Sequence, residues 1–144
     1  MEQMTLALAK QLLEAAQQEA ININVPMVIS IVDGGGNLVA CHRMDDALLV
    51  SIDIAQNKAW TAVAMKMPTE SLAQATSDGK ELFGINTTNN GRVVIFGGGI
   101  PFIVDGQIIG AIGVSGGSVQ QDVQAATAAV TMLEHVSKRA NVFE

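Results

Sequence analysis

The stretch from Gly97 to Ser118, GGGIPFIVDGQIIGAIGVSGGS, constrains the fold more than any other part of the chain. Asp105-Gly106 sits between FIV and IIGAIGV, which is the pattern of a tight two-residue hairpin. Ile108 to Val114 is apolar on both alternating faces, so this strand belongs inside a sheet covered on both sides. Gly110 and Gly113 remove side chains and let another backbone or a ligand approach closely. Gly116-Gly117-Ser118 then opens a helix, where free backbone N–H groups can receive an anion. Ser118-x-x-Gln121 has the form of a capping box.

The preceding chain predicts layers around this hairpin. Residues 3–21 read as a helix, with Leu8, Leu12, Leu13, Ala16 and Ala20 on one face and Pro26 forbidding continuation. Residues 26–33 (PMVISIVD) read as a central strand. Asp33-Gly34-Gly35-Gly36-Asn37 turns the chain back into a second strand, 37–43. On that strand Leu38, Ala40 and His42 share one face, and Val39, Cys41 and Arg43 the other. Residues 47–66 predict a long helix with a stripe of Leu48, Ile52, Ala55, Ala59 and Val63, and Lys58 at its edge as a snorkelling side chain. A shorter helix is expected from Pro68 to about Thr76, an ambiguous turn over 81–88, and a turn at Asn89-Asn90-Gly91. Strands follow at 92–96, 101–104 and 108–115, then a last helix over about 119–138. The hairpins make the sheet mostly antiparallel, with five strands in a three-layer α+β domain.

Composition narrows the function classes. Of 144 residues, 49% are hydrophobic and only 15% charged, which is too apolar for disorder and suggests burial against other copies of the chain. The net charge of −6 and the 3% of aromatic residues argue against nucleic acid and anionic membranes as partners. No apolar run is long enough to span a bilayer. A single cysteine, Cys41, suits a reducing compartment, so a cytoplasmic protein is expected.

The usual motifs of metal, phosphate and nucleotide chemistry are missing. Gly113-Val114-Ser115-Gly116-Gly117 matches the bare G-x-S-x-G pattern, but the parallel βα units of that hydrolase fold are lacking. Only two histidines exist. His135 falls away from the apolar stripe of the last helix and is expected to face solvent. His42 ends an apolar strand and could act as an axial haem ligand, because a neutral imidazole serves that role. Arg43 and Lys58 could together hold an anionic ligand.

Several short pieces together resemble the GlcG/HbpS-like family, whose domain also resembles the C-terminal half of PduO-type proteins. They are Asp33 and Gly36 in a D-x-x-G turn, Arg43-Met44-Asp45, and Lys58-Ala59-x-Thr61-Ala62. They continue with Gly98, Gly99 and Pro101, then Gly110-x-x-Gly113-Val114-Ser115-Gly116. The resemblance implies a profilin-like fold with a five-stranded antiparallel sheet in the order 2-1-5-4-3, homo-oligomers such as tetramers or octamers, and haem binding in some members. Asp46 replaces a glycine common in the family, Val123 replaces an acid, and the first helix has no histidine. Only His42, His135 or a methionine is left to ligate iron.

The expected protein is one domain over 1–144. It would be an oligomeric small-ligand binder, with haem or another tetrapyrrole as the leading ligand, accessory to diol, glycerol or glycolate metabolism. The candidate contact residues are His42, Arg43, Asp45, Lys58, Gly98, Gly99, Gly116, Gly117 and Ser118. Two alternatives stand beside it. One is an accessory or maintenance enzyme acting on a small hydroxy acid, diol or corrinoid through Lys58, Arg43 and Asp45. The other is a structural partner of a larger metabolic complex.

Overall fold

The computed structural model describes residues 3–142, with side chains through residue 139. Helix α1 (Leu6–Asn22) starts at Thr5, whose hydroxyl accepts from the Leu8 amide at 3.1 Å. Its buried face includes Leu8, Leu12, Leu13, Ala16 and Ala20, the five residues of the expected stripe. Strands β1 (Val28–Asp33) and β2 (Leu38–Arg43) follow, then α2 (Val50–Met65) and a short α3 (Leu72–Ala75) behind a 3-10 turn at Thr69–Ser71. Two more 3-10 turns, Ile85–Thr87 and Asn89–Gly91, lead to β3 (Gly99–Val104), β4 (Gln107–Ser115) and α4 (Val119–Val142).

The sheet is antiparallel in the order β2-β1-β4-β3. Asp105 and Gly106 both take positive φ, 51° and 77°, which is the backbone of a type I′ hairpin turn. Ile29, Ile31, Phe102, Ile112 and Val114 pack on one face with α1 and α4. Val28, Val32 and Ala111 pack on the other face against Ala55, Ala59 and Ala62 of α2. That gives helices on both faces of one sheet, a layered α+β architecture. Gly113 sets the distance of α2. A Cβ there would run into the Ala55 carbonyl oxygen and come within 2.6 Å of the Ala59 nitrogen.

Several expectations need correction. The sheet has four strands among the described residues, because residues 92–96 do not form one. The Thr61 hydroxyl of α2 donates to the Arg92 carbonyl at 3.2 Å and accepts from the Val94 amide at 3.1 Å. Two of the segment's polar groups therefore go to a helix side chain instead of a strand ladder. Arg92 adds to the strap, with its guanidinium 4.5 Å from the Trp60 ring centroid. The remaining order is the expected one with its outer strand removed. Helix α2 begins at Val50, not Ala47, and Leu48 lies outside its buried stripe, 59% exposed. Asp46 takes φ 70°, a left-handed conformation that a glycine would adopt at lower cost. Lys58 does not snorkel; it is fully buried.

Candidate functional site

Two groups of residues emerge, on different strands and partly on opposite faces of the sheet. The first surrounds Lys58. Its Nζ donates to the Val114 carbonyl at 2.8 Å and to Asp122 Oδ2 at 3.0 Å. Asp122 lies in the first turn of α4, and its Oδ1 accepts from the Gly117 amide at 2.9 Å. The Phe96 ring lies beside the ammonium, 5.1 Å from Nζ to the ring centroid. Gly98 makes room at φ 128°; a Cβ there would sit 2.6 Å from both Lys58 Nζ and the Val114 oxygen. Gly99 packs on the Lys58 backbone, and its amide donates to Thr69 Oγ1 at 2.9 Å. Beside this pair the Ser115 hydroxyl donates to Ser51 Oγ at 3.0 Å.

At the start of α4 three amides are taken by the chain itself. Gly117 N–H is taken by Asp122, Ser118 N–H by Gln121 Oε1 at 2.9 Å, and Gln121 N–H by Ser118 Oγ at 3.2 Å. The capping box formed as its sequence implied, and the chain's own carboxylate fills the anion position.

Burial pushes the Lys58 amine below its ordinary value and the Asp122 carboxyl above its own. Their mutual attraction opposes both shifts, and the Gly117 amide helps hold the carboxylate charged. The consequence for stability has a definite sign. Folded Asp122 holds its proton more tightly than unfolded, so its contribution is lost as pH rises from 3.8 through the raised value. Folded Lys58 holds its proton less tightly, so its contribution grows from the lowered value toward 10.5. Wild-type Tm, referenced to the double variant Lys58→Met/Asp122→Leu, is expected to pass through a minimum between these windows. Thermal melts across pH measure this, and a maximum at neutral pH would contradict it.

The second group lies at the end of β2. A cleft of about 530 Å³ is lined by Gln17, Cys41, His42, Arg43, Met44 and Asp45. His42 and Arg43 are neighbours on a strand and point to opposite faces. His42 lies in register with Ile29 and Val114, and its Nδ1 is 2.7 Å from Gln17 Oε1 of α1. A proton on Nδ1 would be donated to this amide oxygen, and in that tautomer Nε2 holds the lone pair. Arg43 lies in register with Val28 and Ser115, and its Nη2 donates to the Ala47 carbonyl at 3.0 Å. Asp45 is exposed at the mouth of the cleft.

The structure therefore brings Lys58, Gly98, Gly99, Gly116 and Gly117 together, with Ser118 at their edge. It gathers His42, Arg43 and Asp45 in a separate cleft. Arg43 stands two strands from β4, roughly 10 Å across the sheet, while Lys58 Nζ is engaged by Asp122 and the Val114 carbonyl. Sequence reasoning missed Asp122, Phe96 and Gln17. An acid in the first turn of a helix that follows two glycines was a usable signal for Asp122. Gln17 offered none, since only the packing of α1 along β2 brings it to His42. His135 is exposed on α4. Among the described residues no cluster of three or more His, Cys, Asp or Glu could hold a metal ion, and no helix is long and apolar enough to cross a membrane.

Comparison with known proteins gives this arrangement a family. An uncharacterized 15.0 kDa protein from the dhaT-dhaS intergenic region of Citrobacter freundii is 50% identical over 118 residues, which cover 82% of this chain and 83% of that one. The corrinoid adenosyltransferase PduO of the same organism is 46% identical over 123 residues, covering 85% of this chain but only 37% of that longer protein. The crystal structure of the PduOC:Heme complex superposes with a TM-score of 0.87 at 44% identity, covering 90% of this chain and 94% of that one. The family model described as haem degrading protein HbpS-like matches residues 4–131, and the chain belongs to this HbpS-like family.

Proposed function

We propose that the protein is an oligomeric haem-binding protein, a single HbpS-like domain that serves small-molecule metabolism from the cytoplasm. The observation that carries the reading is the exposed imidazole of His42, which lines the cleft with its Nδ1 held 2.7 Å from Gln17 Oε1. An iron ligand is held in this way, with the second ring nitrogen donating to an oxygen that sets the tautomer. The residues present fit a tetrapyrrole. Arg43 spends one donor on the Ala47 carbonyl and has others to pair a propionate carboxylate. Met44 and Cys41 supply softer, less polar wall. Bound haem would bring a redox-active iron to this cleft, while His42 holds it and Arg43 orients it.

Kinship supports the same reading, since a relative of 44% identity was crystallised with haem. The relative PduO ties the domain to corrinoid metabolism, so a corrinoid is the related ligand to compare. Assembly of several copies suits the consecutive exposed residues Leu48, Leu49 and Val50, which follow the Arg43–Ala47 contact.

The test is a haemin titration followed by visible absorbance. Wild type is expected to give a saturable Soret shift, and His42→Ala to weaken binding by about tenfold or more, the usual scale for a lost metal partner. No saturable shift in wild type would sink the haem reading. An unchanged shift in His42→Ala would move the iron away from β2.

A further inference from the structure

We propose that Lys58 is a reactive amine that condenses with a small aldehyde or ketone admitted beneath Phe96. This site is separate from the His42 cleft and does not depend on haem.

Three observations carry it. First, the Nζ has three N–H groups, and two are taken by Asp122 Oδ2 and the Val114 carbonyl. The third has no hydrogen-bond partner among the described residues, and the Phe96 ring lies 5.1 Å from the nitrogen beside the Gly98 backbone. Second, that ring is placed to act as a door. Phe96 is 40% exposed and sits on a segment outside the sheet ladder, directly before the Gly97–Gly99 run. Phe96 also lines a cleft of about 370 Å³, together with Asp53, Asn57 and Asn86. Asn57 is held by Asp53 and Arg92, and the exposed Asn86 amide can meet a small hydroxylated carbonyl compound. Third, a buried ion pair adds little net stability over a packed apolar pair, so stability alone does not account for a lysine here. Burial also lowers the amine's proton affinity, which favours the nucleophilic neutral form.

The chemistry balances with the groups present. The Lys58 ammonium passes a proton to Asp122 Oδ2, and the neutral Nζ adds to the carbonyl carbon. A proton moves from nitrogen to the new alkoxide to give the carbinolamine. Asp122 returns its proton to the carbinolamine hydroxyl, which leaves as water. The products are the Lys58 iminium, the Asp122 carboxylate and one water. Nothing is oxidised or reduced.

Reductive trapping tests this on the full-length protein. Wild type and Phe96→Ala are treated with glycolaldehyde and cyanoborohydride at neutral pH, and the adducts are mapped by peptide mass spectrometry. Lys58 is expected to carry the adduct several-fold ahead of the exposed Lys10, Lys66, Lys80 and Lys138, with faster labelling in Phe96→Ala. Labelling of Lys58 no faster than the exposed lysines would overturn the proposal. So would labelling of Lys58 only in Phe96→Ala, because the ring would then be a wall. Wild type alone decides the first comparison if the variant fails to fold.

Discussion

Asp122→Ala is expected to destabilise the fold by about 3–5 kcal/mol, the cost of leaving a buried charge without its partner. At this chain length that is a drop in Tm of roughly 6–20 °C. The reason is local and complete. Lys58 is fully enclosed, and Asp122 is its only counter-charge within salt-bridge distance among the described residues. The same carboxylate holds the Gly117 amide, so its removal also strips the cap that starts α4. The pair ties three elements together: α2 through Lys58, β4 through the Val114 carbonyl, and α4 through Asp122. Replacing both partners with apolar residues, Lys58→Met/Asp122→Leu, is expected to recover most of the loss, because no charge then stays buried. A melt of Asp122→Ala within about 1 kcal/mol of wild type would show that water reaches Lys58 and that the pair is not sealed.

Gly113→Ala is the second large effect. A methyl group there meets backbone of α2 at the Ala55 carbonyl and the Ala59 nitrogen, not the end of a flexible side chain. The helix must move off the sheet or the strand must bend, and overpacking of this kind costs about 3 kcal/mol. Because the shift moves α2, it also strains the Lys58–Asp122 geometry, so this variant and Asp122→Ala should not add independently. Denaturant unfolding of the two single variants and the double variant measures the coupling. A Gly113→Ala protein as stable as wild type would mean that α2 does not rest on β4 at this point.

The layered α+β arrangement was legible because its determinants are periodic. The stripe Leu8, Leu12, Ala16 and Ala20 and the two-sided apolar run of β4 each have one reading, and Asp105-Gly106 has one turn that suits it. The strand expected at 92–96 failed because RVVIF has strand composition but its polar groups are claimed by Thr61, thirty residues away. Composition does not reveal where a backbone amide finds its partner. Lys58 failed for a similar reason. A lysine beside an apolar stripe usually reaches solvent, and only the fold shows that Asp122, sixty-four positions later, waits inside. Gly110 and Gly113 were recognised as places of close approach, and the chain's own backbone approaches them, at the Val32 and Ala55 carbonyls. His42 and Arg43 were recognised as adjacent, and strand alternation then assigned them to different faces.

The central claim is that His42 supplies the ligand to haem iron, and a cavity variant tests it most directly. His42→Gly is titrated with haemin with and without free imidazole, and the Soret band is followed. The account predicts weak binding without imidazole and recovery of the wild-type spectrum when imidazole occupies the vacated position. A wild-type spectrum in His42→Gly without imidazole, or no recovery when imidazole is added, would contradict it.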